Sequence, residues 1–153
     1  MQLNKLLSPV EISEIIGCGD KEITGVTADS RQVRDGYMFV AVPGVSVDGH
    51  AYIHKAQESG ASVVVCERLP EQISSSVTYV VVPSSAIALG YIASEWWGNP
   101  SRELHLVGVT GTNGKTTTAT LIYEMARLLG YKAGLLSTVC NYVESTPYHT
   151  DHT

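Results

Sequence analysis

Two short runs, Ser62 to Glu67 and Thr78 to Val82, are almost unbroken valine and other apolar residues, with no polar residue at alternate positions. A strand with one face in water alternates apolar and polar side chains, so runs of this kind belong to strands covered on both faces. Covering both faces takes helices, and the flanking sequence supplies them. His50 to Ser59 places Ile53, Ala56 and Gln57 at helical spacing and stops at Gly60, a position suited to a left-handed C-terminal cap. Ser84-Ser85 offers an N-cap for a helix from Ala86 to about Trp97, ended by Gly98-Asn99-Pro100. Two further β-branched or aromatic runs, Ile23 to Thr27 and Tyr37 to Val42, read as strands bounded by Gly and Asp. The alternation predicts an α/β architecture with a largely parallel sheet.

Gly98 to Glu103 is polar and rich in breakers, which divides the chain into a domain over 1–99 and a second beginning at 100 and running to 153. Beyond it, Leu104 to Val109 reads as a strand, Thr110 to Gly114 as a loop, Lys115 to Leu129 as a helix ended by Gly130, and Lys132 to Thr138 as another strand. That unit is the start of a doubly wound domain. Two parallel strands and one helix leave a sheet edge and a face open to water, so the 153 residues are expected to be a truncated piece of a longer enzyme.

Composition narrows the function classes. Ten Lys+Arg against 15 Asp+Glu give a net charge of -5, which argues against tracking nucleic acid by phosphate neutralisation; any phosphate site must be local. The apolar runs fall far short of the roughly 20 residues that span a bilayer, and Met1 to Leu7 lacks the features of a secretory signal. Three cysteines, Cys18, Cys66 and Cys140, are widely spaced and odd in number, so reduced thiols and a cytoplasmic location are expected.

The strongest chemical signal is Gly111-Thr112-Asn113-Gly114-Lys115-Thr116-Thr117, set between a strand pattern and a helix pattern. Glycines let successive N–H groups turn toward phosphate oxygens, and the helix N-terminus adds partial positive charge. Lys115 is placed to reach the β and γ phosphates of ATP, and the Thr116 hydroxyl to ligate Mg2+. The general P-loop pattern asks for Gly at the place of Val109; Gly108 stands one residue too early.

With that shifted glycine, the loop resembles the nucleotide loop of the Mur ligases, ATP-dependent amide-forming enzymes of peptidoglycan precursor synthesis. A second block carries the same resemblance: Asp29-Ser30-Arg31, Gly36-Tyr37-Met38-Phe39-Val40-Ala41, Gly44, Asp48-Gly49-His50, then Ala56 and Gly60-Ala61. Thr112-Asn113 is similar to the members that add the third peptide residue, rather than to those that add the terminal dipeptide. The tail Ser137 to Asn141 with His152-Thr153 looks like the segment leading to a substrate loop of the family.

The resemblance implies an N-terminal domain that holds the uridine diphosphate end of UDP-MurNAc-L-Ala-D-Glu, followed by a central ATP-binding domain. It implies that Ala28, Ser30 and the Val45-Ser46-Val47 loop contact the nucleotide, and that His152 and Thr153 lie nearer the sugar and peptide. The second substrate is then a diamino acid, meso-diaminopimelate ahead of L-lysine. The residues do not reveal the oligomeric state, and a monomer is the expectation. From the residues alone, Asp29-Ser30 reads first as a local backbone cap and Arg31 as an ion-pair partner.

Other residues read blandly. His149, Asp151 and His152 read as a solvated loop rather than a metal site. Of Trp96 and Trp97, one is expected in the core and the other over the linker. Cys66 reads as a buried small apolar residue, and His50 as a capping and surface hydrogen-bonding group.

Overall fold

The computed structural model describes residues 1–44 and 47–148. The chain forms two compact units, Met1–Leu104 and His105–Thr153.

The first unit contains, in order, α1 (Leu3–Leu7), β1 (Glu14–Ile16), β2 (Gly25–Thr27), β3 (Tyr37–Val40), α2 (Ile53–Glu58), β4 (Ala61–Cys66), β5 (Thr78–Val81) and α3 (Ser85–Trp96). The strands form one sheet in the order β1-β5-β4-β3-β2; β2 to β5 are mutually parallel and β1 runs antiparallel to β5. Successive strand residues alternate between two cores. Met38, Val40, Val63, Val65 and Val80 face α1 and α3, whereas Phe39, Val64, Cys66 and Tyr79 face the side packed by α2. The valine runs are thus buried on both faces, as their composition requires.

Local boundaries have local causes. The strand expected from Ile23 begins at Gly25, because the buried Ile23 donates its N–H to Met1 O at 2.7 Å. The helix expected over 50–59 is a 3-10 turn at Gly49–Tyr52 followed by α2, and Gly60 holds φ +99 just beyond it. Ser84 caps α3 by accepting from Ile87 N, and Asn99 ends it at φ 58. Trp96 packs half-buried against the α1/α3 core, whereas Trp97 is 75% exposed.

The second unit corrects the sequence reading. It contains α4 (Lys115–Leu128), β6 (Gly134–Leu135), β7 (Asn141–Val143) and β8 (Thr146–Tyr148), and its three strands form an antiparallel sheet in the order β6-β7-β8. The parallel pair expected from 104–109 and 132–138 does not form. Residues 105–110 carry no regular structure, and Leu106 and Val107 are 76% and 69% exposed. A strand exists only as part of a hydrogen-bonded ladder, and β6 has found its partner in β7 instead. α4 is held to the β7-β8 hairpin through buried Tyr123, which stacks on Tyr142 with ring centroids 5.4 Å apart and donates its hydroxyl to Glu144 O. Arg127 lies over the same ring and donates to Ser145 Oγ at 2.8 Å. Among the described residues no helix is long and apolar enough to cross a membrane.

Candidate functional site

The glycine loop lies in the second unit, directly ahead of α4. Gly111 has φ +145 and Gly114 φ +77, conformations that a Cβ disfavours, and they turn the chain into the helix within four residues. Thr118 is the first helix residue whose N–H reaches a backbone acceptor, Gly114 O at 2.9 Å. The N–H groups of Lys115, Thr116 and Thr117 therefore stand ahead of the ladder at the positive end of the helix dipole. The Lys115 amine bends back over the loop, donating to Gly111 O at 2.7 Å and to Thr112 O at 3.3 Å. The turn and the helix start thus bring N–H groups free of the helix ladder close to an ammonium, donor types suited to polyphosphate.

Thr116 is half-buried in the first turn of α4, and its own carbonyl accepts from Thr120 Oγ1 at 2.8 Å. Among the described residues no group of three or more His, Cys, Asp or Glu is placed to hold a metal ion. Mg2+ at phosphate sites takes one or two protein oxygens and completes its shell with phosphate oxygens and water. A single hydroxyl beside the glycine turn fits that requirement; a protein cage for the ion would not.

In the first unit, the parallel strands all point their C-terminal ends to one edge, where open α/β sheets bind ligands. The segment after β2 is locally braced. Asp29 accepts from Arg31 N at 2.9 Å and holds the Arg31 guanidinium through both carboxylate oxygens, which lowers the Asp29 carboxyl to about 2. This is the backbone cap and ion pair that the residue types suggested. Ala28 is exposed and Ser30 is 8% exposed, so of the two the alanine presents more surface.

The loop after β3 closes on itself. Gly44 N donates to Val47 O at 3.0 Å, Pro43 bridges Asp48, and Gly49 N donates to Val42 O at 2.9 Å. Val47 is 53% exposed at this edge. Val45, Ser46, His152 and Thr153, and with them the His149 to His152 segment, lie outside the described residues.

Sequence reasoning missed a network beside this loop. The His50 side chain is 5% exposed rather than on the surface. Nδ1 is 2.7 Å from Asp48 Oδ1, and Nε2 accepts from Glu67 N at 2.9 Å. Asp48 also accepts from His50 N at 2.9 Å and from Arg68, and these bonds, the backbone one foremost, hold its carboxyl down at about 2. The Asp-Gly-His spacing is the signal that pointed here; the partner at Glu67 is remote in sequence and could not be read.

Two family models match the chain: the Mur ligase family, catalytic domain, over residues 22–97, and the Mur ligase middle domain over residues 109–153. The whole chain is 51% identical to the UDP-N-acetylmuramoyl-L-alanyl-D-glutamate--2,6-diaminopimelate ligase of Phocaeicola vulgatus and 52% identical to that of Parabacteroides distasonis, covering 32% of each. It spans about a third of the length of these curated relatives. A Clostridium botulinum ligase of the same name is 41% identical over 94% of the chain, which covers 30% of it. Among solved structures, a UDP-N-acetylmuramoyl-L-alanyl-D-glutamate--2,6-diaminopimelate ligase superposes over 96% of this chain and 29% of its own, with TM-score 0.70 at 21% identity. A MurF crystal structure from Acinetobacter baumannii covers 84% of this chain and 28% of its own, with TM-score 0.62 at 23% identity. These two likenesses speak to the fold.

Proposed function

The chain belongs to the Mur ligase family, and from that premise we propose that it is the nucleotide-handling part of an ATP-dependent ligase joining meso-diaminopimelate to UDP-MurNAc-L-Ala-D-Glu. The relatives named above carry that activity in their names, and their identity to this chain runs through both units.

In this reading the D-Glu carboxylate attacks the γ phosphorus of ATP. The bond from γ phosphorus to the bridging oxygen breaks, ADP leaves, and an acyl phosphate forms. The amine of the diamino acid then adds to the acyl carbon, loses a proton, and expels inorganic phosphate to leave the amide. A carboxylate oxygen is a poor leaving group and phosphate a good one, which is why ATP is spent. Phosphoryl transfer asks a protein mainly to position the reactants and to offset charge on the equatorial oxygens.

Gly111 to Thr117 supply that environment, with the loop N–H groups cradling the phosphates and Lys115 neutralising the β and γ oxygens. Thr116 would hold Mg2+, which when bound would supply positive charge to offset that of the phosphates. Ala28, Ser30 and Val47, with Val45 and Ser46, would take the uridine diphosphate end; His152 and Thr153 would lie nearer the peptide. We place these two tasks in separate domains divided at 99/100, close to where the chain parts into Met1–Leu104 and His105–Thr153. The observation that carries the reading is the Lys115 amine folded over the glycine turn, 2.7 Å from Gly111 O.

The test is direct. The full-length protein bearing this chain, given ATP, Mg2+, UDP-MurNAc-L-Ala-D-Glu and meso-diaminopimelate, should form the UDP-tripeptide with equimolar phosphate. Hydroxylamine added in place of the diamino acid should trap the acyl phosphate as a hydroxamate. ATP hydrolysis that ignores the dipeptide, with no amide formed, would defeat the proposal.

A further inference from the structure

We infer that His50 is a positioning residue for the UDP-substrate end of the site, fixing the loop after β3 by bridging it to the end of β4. This rests on the proposed function, which puts the UDP-linked substrate at that edge of the first unit.

The bridge is built from both ring nitrogens. A backbone N–H only donates, so Nε2 of His50 accepts from Glu67 N, and the ring proton sits on Nδ1 and is donated to Asp48. The two partners belong to different loops: Asp48 closes the loop after β3, and Glu67 follows β4. Arg68, also after β4, donates to the other Asp48 oxygen. The Glu67 carboxylate in turn accepts from Ser85 N at 2.9 Å and Ser85 Oγ at 3.0 Å, at the start of α3. Loops after three consecutive parallel strands are thereby joined at their C-terminal edge.

The stem carrying Asp48 has little freedom of its own. A Cβ on Gly49 would stand 2.6 Å from Val42 O and 2.7 Å from Val42 N, so the backbone there is pressed against the end of β3. Gly44 N donates to Val47 O, which ties the exposed Val47, next to Asp48 in the chain, to the start of the same loop. A histidine buried only to fill space would need partners for its nitrogens but not partners from two separate loops. Nδ1 is held within the loop by Asp48 while Nε2 crosses to the Glu67 N–H after β4, and this makes the ring a spacer between the two loops.

A spacer makes a different kinetic prediction from a merely stabilising residue. Loss of stability reduces the amount of active enzyme, lowering apparent kcat and leaving each KM in place. Loss of loop placement raises KM for one substrate only. In the full-length ligase, His50→Ala should raise KM for UDP-MurNAc-L-Ala-D-Glu by about tenfold, the effect of losing a buried charge-assisted hydrogen-bond bridge. KM for ATP and kcat should stay within about twofold. His50→Gln, whose amide can reach toward either partner, should recover part of the loss, with KM raised about threefold.

Should His50→Ala fail to fold, His50→Asn keeps the donor to Asp48 and lacks the reach to Glu67. It should show the same rise confined to the UDP substrate. An unchanged KM for the UDP substrate, or equal changes in both KM values, would overturn the inference while leaving the ligase reading intact. A wild-type protein that does not turn over the UDP-dipeptide at all would remove that reading and this inference with it.

Discussion

The Nζ atom of Lys115 donates to the carbonyl oxygen of Gly111 at 2.7 Å, so the ammonium is held back over the turn that precedes α4. Polar main-chain oxygens hold it there, with Thr112 O the second acceptor at 3.3 Å. A triphosphate in the turn offers the same amine charged oxygens, which bind it more strongly than carbonyls do. Under the proposed function, Lys115→Ala in the full-length protein should lower ligation turnover by at least about 100-fold, the scale of removing a preorganised transition-state charge. Binding of the UDP substrate, followed by calorimetry, should persist. Near-normal phosphate release by the variant would contradict the role.

Gly114 gives a complementary prediction about the backbone. Its φ of +77 is left-handed, and no heavy atom beyond its chain neighbours lies within 4 Å of where a Cβ would stand, so replacement meets conformational rather than steric cost. Gly114→Ala should cost about 1 to 2 kcal/mol locally. That is enough to shift the turn toward an ordinary helix entry and misdirect its N–H groups. Calorimetric ATP affinity should weaken by about tenfold, which corresponds to 1.4 kcal/mol. Uridine nucleotide binding should not change. An unaltered ATP affinity would show that the turn geometry at this position is dispensable.

How far the residues alone revealed the molecule depends on where each element finds its partners. β4 and β5 were legible because Val63 to Cys66 and Thr78 to Val80 are fully buried, so composition reports burial directly. β1 was invisible: Glu14–Ile16 is three residues long, and none of the three is buried. α1 is only five residues long, and Gln2 provides no side-chain cap to announce it. The segment 104–109 has the residues of a strand yet pairs with nothing among the described residues. The β7-β8 hairpin was missed because Glu144, at φ 52, takes a left-handed turn position where glycine or asparagine would have signalled it. At the candidate site the loop chemistry was legible from order alone, whereas the His50 bridge depends on a main-chain N–H seventeen positions away, which no local pattern encodes.

Asp48 predicts a defined acid dependence. Its carboxyl is held at about 2, against 3.8 without the fold, chiefly by the His50 N–H and then by the His50 ring. A carboxyl depressed on folding contributes stability that is present above its unfolded value and lost as pH falls toward its folded one. The window is therefore about pH 4 down to pH 2. Asp29, lowered to about 2 chiefly by the Arg31 guanidinium, adds a loss in the same range. Denaturant unfolding of wild type and Asp48→Asn, repeated across pH, should show a stability gap that is constant above about pH 5, narrows through that window and closes below it. A gap that stays constant to pH 2 would mean the carboxylate charge is not what Asp48 contributes.

The three thiols should separate by reactivity in the order of their surroundings. Cys66 is fully buried on the α2 face of the sheet, and burial pushes its thiol up to about 11 because a thiolate there would lose its hydration. Cys18 is exposed, and Cys140 is partly covered, with its sulfur near Asn141 O at 3.4 Å and Tyr148 O at 3.6 Å. Thiolate is the reactive form, so burial and the raised pKa both hold Cys66 back, while access favours Cys18. With an aromatic disulfide reagent at pH 8, Cys18 should react first, Cys140 more slowly, and Cys66 at least about 100-fold more slowly than Cys18, at a rate set by opening of the sheet. Denaturant should bring the third thiol to the rate of the others. Prompt reaction of all three in the native protein would mean that the β4 strand opens freely, which the continuous burial of Val63 to Cys66 does not allow.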